Sequence, residues 1–267
     1  ESLTMHVVRT ESANYGRIRL WGSITFIGAA VGGGAILKGR DADFIFYLSL
    51  LGLGLLFFVC VALPRARFAA STSGKPPLLE LCRIKTFLLM LGTAALIQSS
   101  HAVVYSFSTI HWKSIGYSEA LIGLLWAEGV VAEIILFHYS ASVLRRISPV
   151  MLIIIAAVAG MLRWTIMGTT DALPALFFAQ ALHGLTFGAA HLGAVHYISD
   201  NIPPHLSATA QSLLSAVVMG IAIGITTITA GAMYGVIGAK SYYPMAGLAV
   251  ASAILGLLLY IRLSRDT

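Results

Sequence analysis

The sequence predicts an all-α protein, a polytopic bundle of about eight helices that cross a membrane. Hydrophobic residues make up 58% of the chain, charged residues make up 10%, and the mean hydropathy is +0.86. A soluble core of this size needs fewer apolar residues. The apolar residues also form continuous runs, whereas a membrane β-barrel needs segments of alternating polarity. Both observations favour membrane helices over strands.

The apolar runs are each about 20 residues or longer, the length that a helix needs to cross a bilayer. They lie near residues 18–37, 43–63, 86–112, 119–142, 149–169, 173–198, 207–237 and 241–262. Between them lie short segments that carry polar residues, glycine or proline, at residues 38–42, 64–85, 113–118, 143–148, 170–172, 199–206 and 238–240. Small residues on one helix face allow close packing, which we expect at Gly28, Gly32, Gly33, Gly34, Gly220 and Gly224.

The polar segment at residues 64–85 is the longest in the chain and divides it into two parts. We expect residues 1–64 to hold the last two helices of an amino-terminal bundle, and residues 86–267 to form a six-helix bundle. Residues 65–85 would be the central loop between them. Residues 1–16 suit the end of a preceding helix, so we expect further spans upstream.

The cations are distributed unequally between the two sides of the predicted spans. One side carries twelve cations, which are Arg9, Arg17, Arg19, Arg65, Arg67, Lys75, Arg83, Lys85, Arg145, Arg146, Arg262 and Arg265. The other side carries four, which are Lys38, Arg40, Lys113 and Lys240. Because cytoplasmic loops are rich in Lys and Arg, the amino end, the central loop and the carboxyl end are predicted to be cytoplasmic. This bias also explains the net charge of +6 without nucleic-acid binding.

The sixth run carries a polar stripe. At 100° per residue, Gln180, His183, Phe187 and His191 fall within about 80°, while His196 points the opposite way. An ionisable group at membrane depth costs roughly 2.5 to 3.5 kcal/mol on insertion scales, so such groups face a protein or water-filled interior. The stripe therefore predicts a pathway for a solute.

Four neighbouring runs place polar groups near one depth. Desolvation favours protonation of a carboxyl group there, and a cation that approaches favours its release, as proton coupling requires. We predict proton-coupling roles for Glu133, His183, Arg163 and Glu128, and substrate contacts for Gln98, His101, Gln180 and His191. Purely structural roles remain open as well. The side chain of Arg163 would then extend its charged end towards the membrane surface, and His183 would be a buried histidine with all its hydrogen bonds made. Gln180 and His191 would form hydrogen bonds between helices. The two glutamates lie about 140° apart on one helix, so we do not expect both at the same spot.

Other chemistries lack their motifs. The sequence has no phosphate-binding GxxxxGK[ST] loop, no GxSxG nucleophile elbow, no HExxH pair and no Cys/His spacing for a metal. We expect no enzymatic activity, no cofactor and no metal.

Several stretches resemble the major facilitator superfamily, and within it the 3-phenylpropionate transporter group of proton-linked permeases. They are Tyr15-Gly16-Arg17-Ile18-Arg19-Leu20-Trp21-Gly22-Ser23, Gly129-Val130-Val131-Ala132-Glu133, Arg163-Trp164-Thr165-Ile166-Met167-Gly168 and Leu182-His183-Gly184-Leu185-Thr186-Phe187 with His191. The resemblance implies the major facilitator fold, with two six-helix bundles. This chain would keep the last two helices of the first bundle and all of the second.

The chain is also similar to the lactose/proton symporters, in which an arginine and a histidine take part in coupling and sugar recognition. Arg163 and His183 match those two positions. Thr186 replaces the acidic residue that follows the histidine by one turn in that group. The resemblance therefore leaves the preceding helix to supply the proton carrier, and Glu133, which belongs to a matching stretch, is favoured over Glu128.

These observations predict a secondary active transporter of the inner, or plasma, membrane. It would be a proton symporter for a small organic solute, such as the aromatic carboxylate phenylpropionate. A nucleoside or sugar/proton symporter is an alternative, in which Gln98, Gln180 and His191 would bind a neutral solute. From another class, a membrane receptor or scaffold remains open, although a sensor would be expected to carry a sizeable soluble domain. Expected partners are the solute, the proton, the lipid bilayer and the missing amino-terminal bundle.

Overall fold

The computed structural model describes Thr4, Val8 and residues 14–37, 43–62 and 77–266, and these residues form helices without a strand. The α-helices are α1 (Tyr15–Leu37), α2 (Asp43–Ala62), α3 (Pro77–Leu81), α4 (Lys85–Ser99), α5 (Ala102–Ser114), α6 (Glu119–His138), α7 (Ser140–Leu144), α8 (Pro149–Thr169), α9 (Leu173–Ala181), α10 (Ala190–Asn201), α11 (Pro204–Leu214), α12 (Ile223–Ile237) and α13 (Tyr242–Asp266). Two π-helical segments and a 3₁₀ turn complete them: Gly184–Ala189, Ser215–Ala222 and Gly238–Ser241.

Within the described residues, five helical segments are long and apolar enough to cross a membrane. They are Lys85–Ser114, Glu119–His138, Pro149–Thr169, Leu173–Asn201 and Pro204–Arg265. The last one holds two predicted spans, because the chain reverses at Gly238, whose φ of 54° favours glycine. Each apolar run of the sequence thus coincides with helix, and the predicted class of membrane helical bundle is confirmed.

Helix boundaries differ from the prediction where side chains or packing interrupt the regular backbone hydrogen bonds of a helix. The run 86–112 breaks between α4 and α5, where the side chains of Ser100 and His101 both bond the carbonyl of Ile97. The run 119–142 ends at His138, and the runs 173–198 and 207–237 each contain a π-helical segment. Much of the predicted loop 64–85 lies outside the described residues, but α3 lies within it, where Glu80 pairs with His205.

The carboxyl-terminal helices share one core. α13 packs along α8 and α4, α10 packs along α8, and α1 packs along α6. Trp164 lies at the centre of this core, where its indole donates to Ser100 and its ring stacks on Tyr242. Side chains of α2 such as Phe58 and Val61 are exposed, as suits a helix that faces lipid.

Close helix packing occurs at different glycines from those predicted. A Cβ at Gly28, Gly32, Gly220 or Gly224 would meet no other described segment within 4 Å, so the described residues show no close packing at these four. The surroundings of Gly33 and Gly34 lie outside what the structure describes. At Gly193, by contrast, an added Cβ would lie 2.5 Å from the carbonyl oxygen of Pro149. This tight contact joins α8 and α10.

Substitution of Gly193 by Ala should destabilise the bundle, because a backbone carbonyl cannot move aside as a flexible side chain would. We expect Gly193→Ala to lower the free energy of unfolding by about 1 to 3 kcal/mol. The midpoint of thermal unfolding in detergent measures the effect. Gly123→Ala is the matched control, because open space surrounds Gly123. Equal midpoints for the two variants would contradict the packing of α8 against α10.

Candidate functional site

The guanidinium of Arg163 lies inside the carboxyl-terminal bundle, and only 1% of the residue is exposed. Its Nη1 donates to the hydroxyl of Thr186 at 2.9 Å, and its Nη2 donates to Oε1 of Gln180 at 2.8 Å. The guanidinium carbon also lies 4.7 Å from the ring centroid of Trp164, within the range of a cation–π contact. Neutral groups therefore solvate this cation.

Further hydrogen bonds fix the orientation of these neutral partners. The amide nitrogen of Gln180 donates to the carbonyl of Leu125, which turns the amide oxygen towards Arg163. Nδ1 of His101 faces the carbonyl oxygens of Ile97 and Gln98, so it carries the proton in the neutral ring. The hydroxyl of Thr186 then donates to Nε2 of His101 at 3.1 Å while it accepts from Arg163.

His183 connects Arg163 with Glu133. Nη1 of Arg163 lies 3.1 Å from Nδ1 of His183, and because a guanidinium can only donate, Nδ1 must be the acceptor. The ring proton is then on Nε2, which faces Oε2 of Glu133 at 3.8 Å. This distance is too long for a hydrogen bond but allows electrostatic attraction.

Glu133 has its remaining partners on α1. Its Oε1 accepts a hydrogen bond from the hydroxyl of Ser23 at 3.2 Å and lies 3.4 Å from Nη2 of Arg19. Arg19 also lies over the ring of Phe137. The carboxylate of α6 is thus held between a cation of α1 and the Arg163–His183 pair.

These groups line a cavity of about 400 Å³. Aromatic rings form much of its wall: Tyr105 stacks on Trp126, and Phe187 stacks on His183 with 5.3 Å between ring centroids. Its lining residues are Arg19, Gly22, Ser23, Phe26, Tyr105, Trp126, Gly129, Val130, Glu133, Arg163, Gln180, His183, Phe187 and Met219. The cavity therefore combines an aromatic wall with two arginines, a histidine and one carboxylate.

Glycines bring His183 to Glu133. A Cβ at Gly184 would lie 2.7 Å from the carbonyl oxygen of Ala132, and a Cβ at Gly129 would lie 3.3 Å from Cβ of His183. Both glycines let the π-helical turn Gly184–Ala189 lie directly on α6. π-turns inside long helices are frequent at functional sites, and here the turn carries Thr186 and Phe187.

Comparison with known proteins assigns the chain to a family. The model of the MFS_1-like family, of the major facilitator superfamily, matches residues 1–245. The chain belongs to the MFS_1-like family. Among its relatives are the probable 3-phenylpropionic acid transporter of Escherichia coli, 36% identical over 247 residues, and an uncharacterized transporter of Bacillus subtilis, 22% identical over 267 residues. These matches cover 91% and 98% of this chain.

The chain spans less than two thirds of these relatives, 64% of the E. coli protein and 65% of the B. subtilis protein. Its fold is similar to the crystal structure of the E. coli fucose:proton symporter, with a TM-score of 0.65 at 12% identity. That match covers 92% of this chain and 68% of the symporter chain. At this identity the likeness shows the fold alone.

The larger cavity of this MFS_1-like chain brings together three of the four residues predicted for proton coupling, Glu133, Arg163 and His183. Glu128 does not line it, since it lies five residues from Glu133 on the same helix. This geometry does not test their roles, which stay predictions.

Of the residues predicted to contact substrate, Gln180 lines the larger cavity, with its amide bonded to Arg163 and Leu125. Gln98 and His191 line a second cavity, and His101 is fully buried behind Thr186. Contacts of these three residues with substrate stay a prediction.

Arg19 and Ser23 are site residues that the sequence analysis does not single out, although both lie in the stretch Tyr15–Ser23 that resembles the superfamily. Arg19 was counted among the cations at the cytoplasmic side, although the predicted first helix began at residue 18 and so included it. No periodic signal marks the face of α1 that meets α6, because α1 is apolar around most of its circumference.

Removal of the Thr186 hydroxyl should destabilise the protein, because Nη1 of Arg163 and Nε2 of His101 are buried and would each lose a hydrogen bond to it. We expect Thr186→Val to lower the free energy of unfolding by about 1 to 3 kcal/mol. The thermal midpoint in detergent is the measurement. The control is Thr165→Val on α8, since the exposed Thr165 hydroxyl bonds only the carbonyl of Met161 in its own helix. A Thr186→Val midpoint at or above that of the control would contradict this hydrogen-bond network.

Proposed function

We propose that this chain is part of a proton-coupled secondary transporter of the inner membrane, which takes up a small organic acid such as an aromatic carboxylate. The observation that carries the proposal is the placement of Glu133 between Arg19 and His183 in one cavity with Arg163. A carboxylate near membrane depth that faces the cation of Arg19 and the ring N–H of His183 is suited to bind and release a proton. The transporters among its relatives support this proposal, which favours transport over an enzymatic role.

The cavity supports an aromatic carboxylate as the solute. Arg163 provides positive charge, the neutral ring of His183 provides an N–H donor at Nε2, and Nε of Arg163 has no hydrogen-bond partner among the described residues. Tyr105, Trp126 and Phe187 provide ring faces nearby. A volume of about 400 Å³ lies within the usual range for small-molecule sites. The name of the E. coli relative, a probable 3-phenylpropionic acid transporter, agrees with this choice.

Proton binding would couple to movement through the pair of Arg19 and Glu133. When Glu133 accepts a proton on its carboxylate, it loses its charge, and its attraction to Arg19 on α1 falls with it. If α1 and α6 belong to different bundles, as the domain prediction has it, this pair links the two halves. Rocking of the halves around the cavity would then carry proton and solute together. The amino and carboxyl ends are proposed to face the cytoplasm on the basis of their cations.

A sugar/proton symporter is the second candidate. A relative that supports it is the maltose permease of Geobacillus stearothermophilus, which is 25% identical over 232 residues, and this chain covers 59% of that permease. A neutral sugar would need free hydrogen-bonding groups in the larger cavity. Gln180 offers few, because Arg163 and Leu125 already engage both ends of its amide. The carboxylate is therefore the better fit.

Neutralisation of Glu133 should separate proton coupling from solute movement. In the protein that carries this chain, Glu133→Gln is expected to abolish concentrative uptake of 3-phenylpropionate into energised vesicles while downhill exchange stays measurable. The amide resembles the protonated acid but releases no proton. Membrane potential contributes about 2.3 kcal/mol per charge per 100 mV, which the variant could not use.

Glu128→Gln is the matched control, because Glu128 lies on the same helix but outside the larger cavity. It should leave concentrative uptake within twofold of the wild type. Concentrative uptake at the wild-type level by Glu133→Gln would exclude Glu133 as the proton carrier. Uptake of maltose with no uptake of 3-phenylpropionate would favour the sugar symporter.

A further inference from the structure

A second cavity of about 160 Å³ lies between α4, α10 and the segment that joins α11 to α12. Met219 lines both cavities, and the amide nitrogen of Gln98 donates to the carbonyl of Phe187, whose ring lines the larger one. The two cavities are therefore neighbours, with Met219 and Phe187 at their boundary.

Two buried glutamines of this second cavity keep unsatisfied amide atoms. Gln98 is 3% exposed and Gln211 is 5% exposed. Oε1 of Gln98 and both amide atoms of Gln211 have no hydrogen-bond partner among the described residues. A buried polar group without a partner costs about 1 to 3 kcal/mol, so native proteins rarely keep one without a reason. Three such atoms at one cavity point to a ligand.

The unsatisfied atoms define the chemistry of that ligand. The orientation of Gln98 is fixed by its bond to Phe187, so its free atom is an acceptor, while Gln211 offers a donor and an acceptor. No Lys, Arg, Asp or Glu is among the described residues that line the cavity, and Nε2 of its histidine, His191, is hydrogen-bonded to the hydroxyl of Tyr15 at 2.8 Å. A charged group would enter without a counterion, at a high desolvation cost. A neutral group that both donates and accepts, such as a hydroxyl, fits these atoms.

We propose that Gln98 and Gln211 form a second binding subsite, which recognises a hydroxyl group on the transported solute. The inference rests on the proposed function. The carboxylate of the solute binds beside Arg163 and His183 in the larger cavity, and a hydroxyl on its ring extends past Met219 into the second cavity. The hydroxyl donates to an amide oxygen and accepts from the amide nitrogen of Gln211. Gln98 and Gln211 thereby determine specificity for hydroxylated over unsubstituted aromatic acids.

The test compares 3-(4-hydroxyphenyl)propionate with 3-phenylpropionate in the protein that carries this chain. For the wild type, we expect the hydroxylated acid to show at least a tenfold lower half-saturation concentration for uptake. Gln211→Met should remove this preference, so that the half-saturation concentrations of the two acids become equal within twofold, since a site built to bond a hydroxyl discriminates through that bond. Ser212→Ala, a neighbouring exposed position, is the control and should keep the preference.

A second measurement separates a binding role from a structural one. Without solute, Gln211→Met should unfold at the same or a higher temperature than the wild type, because it removes an unsatisfied buried amide and conserves volume. A loss of preference accompanied by a lower unfolding temperature would indicate a structural role and overturn the proposal. A preference that persists in Gln211→Met, or is absent from a wild type that takes up either acid, would overturn it as well.

The subsite and the proposed function can fail separately. If the wild type takes up neither acid, the proposed function fails, and phenol and toluene then test the subsite by thermal unfolding in detergent. Phenol should raise the unfolding temperature of the wild type more than toluene does, and Gln211→Met should abolish this difference. Equal effects of phenol and toluene on the wild type would mean that the cavity binds no hydroxyl.

Discussion

The carboxyl-terminal bundle is organised around one constraint, the burial of the Arg163 guanidinium. A cation away from water must be hydrogen-bonded, because its desolvation is otherwise far more costly than any single packing contact. Its partners come from α9 (Gln180) and the π-helical turn (Thr186), with Trp164 beside it on α8. Because each partner is bonded to a further group, the cation fixes how three helical segments are rotated and how closely they lie.

The glycines around this cluster let the segments approach as far as the hydrogen bonds require. At Gly184 and Gly193 a side chain would contact the backbone of α6 or α8. The π-helical turn shifts the residues after His183 relative to an ideal α-helix, and places Thr186 between Arg163 and His101. Packing and polar chemistry therefore depend on the same few residues, and a change in either would disturb the other.

The partners of Glu133 differ in kind from those of Arg163. The bonds of Arg163 lie within the carboxyl-terminal bundle, are short, and involve neutral groups. Glu133 instead contacts His183 at 3.8 Å and reaches across to Arg19 and Ser23 on α1. Long, charge-based contacts between two elements change more readily than a closed hydrogen-bond network, because they depend on the charge of one carboxylate. A stable cation beside a changeable carboxylate is a suitable basis for coupled binding.

The sequence by itself determined the membrane class, the eight apolar runs and most of the ionisable residues within them. Length, hydropathy and the motifs around Arg163 and His183 are local properties, so they can be read without coordinates. It did not determine which partner each polar group meets. Glu133 rather than Glu128 lines the cavity, Arg19 bonds across to α6, and Gln98 and Gln211 share a second cavity. Those outcomes depend on helix rotation, on π-helical turns and on contacts between distant segments, which only the tertiary structure decides.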